Sequence, residues 1–186
     1  EGLRYECGTT KNLLESFYKL MVLTRRRHGV PPQPKHWFRI LVEEFGDNLQ
    51  IRAAFQGSKP VAATMTIRYK DKLMYKYGGS DVLFNKLGGM HLLYWSAIQD
   101  AKEWGLRFFD LGRTDTHQHG LATFKRRWGA TETSISYLRY TEGGNPGPTY
   151  GPSPQKLGTR LGQFVFRHTP TRLLPTLGNL LYRHFG

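Results

Sequence analysis

The sequence predicts an α+β domain, a mixed and mostly antiparallel central sheet flanked by helices, with a basic helical C-terminal tail. Three observations carry the prediction. Two stretches with apolar residues at helical spacing precede any long strand. Three runs rich in β-branched and aromatic residues follow, joined by short turns. A further strong helix, entered through Gly88-Gly89, then separates those runs from the later strands.

Taken in order, residues 3–7 read as a short opening strand, and Thr9-Thr10 cap a helix with Leu13, Leu14, Phe17, Leu20 and Met21 on one stripe. That helix stops at Arg25-Arg26-Arg27-His28-Gly29, cations in a last turn followed by glycine. Pro34 opens a second helix carrying Trp37, Phe38, Ile40, Leu41 and Phe45. Strands are expected at 49–55, 61–69 and 73–77, an antiparallel meander. Residues 90–104 form a helix with Leu92, Leu93, Trp95, Ala97, Ile98 and Ala101 toward its buried side. Then come a short buried strand at 106–111, a short helix at 120–128 and a final strand at 131–140. The domain is thus expected to span 1–140. Residues 141–154, rich in Pro and Gly, read as a linker, and 155–186 as two short basic amphipathic helices broken by Pro170 and Pro175.

With 186 residues, 39% of them hydrophobic, the chain has material for one core and one domain with an appendage. No run reaches the roughly 18 apolar residues of a spanning helix, and the first residues lack a signal-peptide pattern. A single cysteine, Cys7, excludes an intrachain disulfide and fits a reducing cytoplasm; it reads as a small packed residue at an element edge. The net charge of +13 favours phosphate-rich partners, whether nucleic acid, nucleotide-sugar or an anionic membrane surface, or else serves solubility. The tail, which has no acid, either lies peripherally on the inner membrane face or packs on the domain or a partner half.

Four segments go further: Arg27-His28-Gly29-Val30-Pro31, Tyr77-Gly78-Gly79-Ser80, Phe109-Asp110-Leu111-Gly112-Arg113, and the run from Gly120 through Phe124-Lys125-Arg126-Arg127-Trp128 to Ala130. Together with the element order they resemble the second GNAT-like domain of the Fem and FemAB-related acyl- and aminoacyltransferases. The resemblance implies the GNAT acyltransferase fold and a missing N-terminal GNAT-like half. It implies transfer of an aminoacyl or acyl group to an amine of a peptidoglycan or exopolysaccharide precursor. The co-substrate would be aminoacyl-tRNA or acyl-CoA, with no permanently bound cofactor. Alternatives are a catalytically silent domain that binds RNA or its partner half, and an acyl-CoA-dependent N-acetyltransferase.

Acyl transfer to an amine passes through an oxyanion, which a fixed cation stabilises. The resemblance assigns that work to Lys125, beside Phe124; otherwise Lys125 is a solvated helix lysine next to Arg126, itself a candidate for donor phosphates. Asp110 either orients its turn through backbone N–H groups or pairs with Arg113, whose guanidinium suits a phosphate or carboxylate. His117 is a candidate hydrogen-bonding group or base, while His117-Gln118-His119 with Asp110 and Asp115 matches no established ligand spacing, so no metal is expected. Gly88 and Gly89 are a phosphate loop or a plain turn, and the order of residues 85–90 departs from the acyl-CoA pattern. By alternation Tyr75 and Tyr77 should share a face of the strand that, in GNAT folds, opens to the donor; Tyr77 and Ser80 are candidates there.

Overall fold

The computed structural model describes residues 2–136 and 157–182. Its chain separates into two compact units, Glu1–Gly112 with Gly162–Gly186, and Arg113–Leu161.

The first unit is built on a five-stranded sheet in sequential order: β1 (Arg4–Gly8), β2 (Leu49–Gln56), β3 (Lys59–Tyr69), β4 (Lys72–Ser80) and β5 (Phe108–Asp110). The first four are antiparallel and β5 runs parallel to β4. Helices α1 (Lys11–His28) and α2 (Lys35–Phe45) cover one face, and α3 (Gly89–Glu103) covers the other. Caps fix the ends of α1: Thr10 Oγ1 accepts from the Leu13 amide, and Gly29 takes the left-handed conformation at φ 68°. The larger core buries Phe17, Leu20, Phe38, Leu49, Ile51 and Met65, and each such side chain stabilises the fold by about 2 kcal/mol.

The tail adds α5 (Leu157–His168) and α6 (Leu174–Tyr182). The inner side of the tail packs on the first unit. Leu174 is fully buried within the α1–α2 core, and Phe166 packs against the same cluster. Pro175 does not break the helix but sits in the first turn of α6, where its missing N–H would have no intrahelical partner.

Five expectations are corrected. Tyr75 and Tyr77 face opposite ways, because the register slips between Met65/Thr66 and leaves Lys76 as a bulge without a partner. Tyr77 packs on Phe38 of α2 and Tyr75 on Tyr94 of α3. The strand at 106–111 is shorter and less buried than expected, with Phe108 half exposed at the sheet edge. On α3 it is Tyr94 that is buried, while Trp95 is exposed, a consequence of the 100° step between neighbours. Cys7 is exposed on the edge strand and its thiol donates to Gln50 Oε1. Of the final strand expected at 131–140, residues 131–136 are non-strand; 137–140 and the linker lie outside the described residues.

Candidate functional site

Strand β4 is paired over far more of its length on one side than on the other. All of it but Lys76 pairs with β3, whereas β5 accompanies it only from Lys72↔Phe108 to Met74↔Asp110. β5 then ends, and Asp110 holds the turn by accepting a hydrogen bond from the Gly112 amide at 2.7 Å. Of the two roles considered for Asp110, turn orientation is the one seen. Gly112 has φ 71°, and a Cβ there would lie 3.3 Å from the Tyr75 carbonyl oxygen, so the turn leans on β4 just where the strands part. From Tyr75 to Ser80, β4 has a free edge among the described residues of this unit.

Side chains around that edge are closely specified. The bulge at Lys76 puts Gly78 on the α3 face, where the Tyr75 hydroxyl occupies the space a Cβ would need. Gly79 lies on the α1 face, and a Cβ there would come 2.7 Å from the Leu20 carbonyl oxygen. Small residues are therefore required at both positions, which lets α1 cross β4 closely. The Ser80 amide donates to Thr24 Oγ1 at 3.1 Å, and Trp37 Nε1 donates to the Tyr77 hydroxyl at 3.1 Å. Burial pushes the Tyr75 phenol up to about 12. Tyr94, also buried and donating to Tyr75, is raised further. Both stay neutral O–H groups at physiological pH.

Gly88 closes a 3-10 turn (Val82–Leu87) with φ 72° and begins α3. Gly89 packs on β3, with 3.0 Å from a Cβ to that of Ala62. Gly88 is thus favoured as glycine by its left-handed backbone, and Gly89 by packing.

The second unit carries the remaining candidates. On α4 (His119–Arg127), Lys125 is 8% exposed and Nζ donates to the Arg113 carbonyl oxygen at 3.3 Å. It is not a solvated surface lysine. Phe124 meets Trp128 edge to face at 6.5 Å between ring centres, and Arg113 Nε lies 3.3 Å from Asp115 Oδ1. Arg126 is exposed and engaged with Glu132 and Thr123, and His117 is exposed. This unit therefore holds a low-exposure ammonium fixed by a carbonyl, near in sequence to an exposed guanidinium.

Sequence reasoning missed Thr24, Trp37 and Tyr94 at the open edge. It also missed the fully buried Arg52, whose Nε and Nη2 donate to Asp100 Oδ2 at 3.0 and 2.5 Å and whose Nη1 donates to Thr66 Oγ1 at 2.6 Å. A lone arginine inside the apolar run Ile51-Arg52-Ala53-Ala54 was the available signal.

The family model described as an acetyltransferase (GNAT) domain matches residues 1–126. The chain belongs to the GNAT family. Among curated proteins it is 24% identical over 128 residues to the UDP-N-acetylmuramoylpentapeptide-lysine N(6)-alanyltransferase of Weissella viridescens, covering 67% of this GNAT chain but only 38% of that protein. Among solved structures it resembles FemX (TM-score 0.61, 15% identity, 69% of this chain, 50% of that one). It also resembles the aminoglycoside acetyltransferase AAC(6')-Iy in complex with a CoA-based bisubstrate analogue (TM-score 0.60, 14% identity, 76% and 99%). A third neighbour is the aminoglycoside acetyltransferase meta-AAC0020 from an uncultured soil sample (TM-score 0.59, 18% identity, 75% and 96%). At these identities the structural likenesses establish the fold alone. Against the alanyltransferase and FemX, this GNAT chain spans half of the relative's length or less.

Proposed function

We propose that this chain carries the donor side of an N-acyl or aminoacyl transfer to an amine of a cell-wall or exopolysaccharide precursor. The free edge of β4 from Tyr75 to Ser80 is the observation that carries the reading. A donor with an extended amide-bearing arm can lie along such an edge as an added strand, its amides taken up by backbone N–H and C=O groups. In the transfer the neutral acceptor amine bonds to the acyl carbon, the carbon–oxygen or carbon–sulfur bond of the donor breaks, and the proton that the nitrogen gives up goes to the departing hydroxyl or thiol. Negative charge gathers on the carbonyl oxygen. The resemblance to Fem-type enzymes assigns Lys125 to that oxyanion or to the phosphate and ribose end of the donor, and the Arg113 guanidinium suits a phosphate or carboxylate. The Tyr75–Tyr94 pair offers neutral O–H groups beside the edge.

Aminoacyl-tRNA is the donor favoured by the resemblance to Fem-type enzymes, and the name of the alanyltransferase relative is in keeping with an aminoacyl group being transferred. In this reading a second GNAT-like half holds the acceptor. The second reading, an acyl-CoA-dependent N-acyltransferase, is favoured by the family match over residues 1–126. Transfer from alanyl-tRNA and from acetyl-CoA to a muramoyl-pentapeptide amine separates the two. In either case Lys125→Met should lower turnover by about 100-fold with an unchanged circular dichroism spectrum. Undiminished turnover in that variant of the full-length protein contradicts the role of Lys125, and inertness of the full-length protein toward both donors favours a silent binding domain.

A further inference from the structure

Two long stretches of the sequence, residues 16–42 and 143–186, contain no aspartate or glutamate. They are far apart in the chain, yet the fold brings described parts of them together. A Cβ at Gly29 would lie 2.8 Å from the Gln163 carbonyl oxygen, so α5 passes directly over the end of α1. Gly178 of α6 packs on the Pro32 carbonyl with no room for a side chain. Arg26 Nε donates to the Arg167 carbonyl oxygen at 3.1 Å.

The result is a cationic crowd. Arg25, Arg26, Arg27 and His28 fill the last turn of α1, and Arg167 comes beside them from α5. Burial and the charges of Arg27, Arg25 and Arg167 lower the His28 pKa, in keeping with that crowding. Arg172, between α5 and α6, is exposed and adds a further cation.

Helices α5 and α6 and the turn between them leave large apolar side chains in water. Their inner side is used up by Phe166, Leu174 and Gly178. Outside remain Phe164 at 60% exposure, Val165 at 48%, Leu173 at 56% and Leu180 at 57%. Phe164 also stacks on His168, with ring centres 4.1 Å apart. Exposed phenylalanine, valine and leucine gain nothing from a phosphate backbone, and arginines gain nothing from an apolar protein groove. The headgroup and acyl boundary of an anionic bilayer rewards both. Apolar side chains enter it, while arginine stems reach back to the phosphates.

We infer that the α5–α6 face, with the last turn of α1, docks this protein peripherally on an anionic lipid surface. No helix among the described residues is long and apolar enough to cross a membrane, so docking would be in-plane.

The test is co-sedimentation of the chain with vesicles of phosphatidylcholine alone and with about 30% phosphatidylglycerol, a fraction chosen to give the negative surface potential that attracts arginine clusters. Binding to the anionic vesicles is expected to exceed binding to neutral ones by about tenfold or more and to fall with added salt. Phe164→Ser/Leu180→Ser and, independently, Val165→Ser/Leu173→Ser should each weaken it by about tenfold, as should Arg167→Gln/Arg172→Gln. These side chains are exposed, so the variants should keep the wild-type spectrum and melting point. Three results overturn the inference: equal binding to neutral and anionic vesicles, wild-type binding by both serine pairs, and capture of an oligoribonucleotide with no vesicle binding.

Discussion

Arg52 has no exposure to solvent, and its charge is met by Asp100 and by the Thr66 hydroxyl. Removing the acid alone leaves a buried guanidinium uncompensated, whereas replacing the arginine by an apolar side chain of similar length removes the problem with the charge. Asp100→Ala should therefore cost about 3 kcal/mol, and Arg52→Met clearly less, in urea unfolding. Equal losses would contradict this ordering. Nothing in the sequence pairs the two, because they are 48 positions apart on a strand and a helix. Lys125 is the opposite case: its motif was legible, but its low exposure and its bond to the Arg113 carbonyl were not. Gly79 shows a third kind of limit, since only the fold reveals that α1 forbids a Cβ there.

Helices and strands were legible where one chemical signal dominates. Thr10 and Gly29 cap α1 where the sequence put its ends, and the three-strand meander follows its short turns. The bulge at Lys76 was not legible, because uniform alternation contains no mark of an extra residue. It matters for function: it sends Tyr77 toward Trp37 and Tyr75 toward Tyr94 on either side of the open edge. In the tail, composition gave the amphipathic helices but not which side faces the core. Leu174 is buried and its neighbour Leu173 exposed. Leu174→Ala should destabilise the protein by about 3 kcal/mol and Leu173→Ala by about 0.5 kcal/mol or less in thermal or urea unfolding. Similar effects at the two positions would contradict the docking of α6 described above.

Across the whole molecule, the net charge of +13 is not spread evenly, since two stretches of the sequence contain no acid and described parts of them meet in the first unit. The basic excess therefore has a location, which composition alone could not supply. The GNAT fold and family were readable from element order and from the joint occurrence of four short segments, now matched by the family model over residues 1–126. The proposed transfer rests on the parting of β4 and β5 after Met74↔Asp110. Hydrogen–deuterium exchange of the chain with saturating acetyl-CoA, and in parallel with alanyl-tRNA, measures that directly. One of the two donors should slow exchange of the backbone amides at residues 76–79, the free stretch of β4 whose last amide, Ser80, is already held by Thr24. Unchanged exchange there with both donors, or protection confined to other segments, would contradict the assignment of the open edge as the donor site.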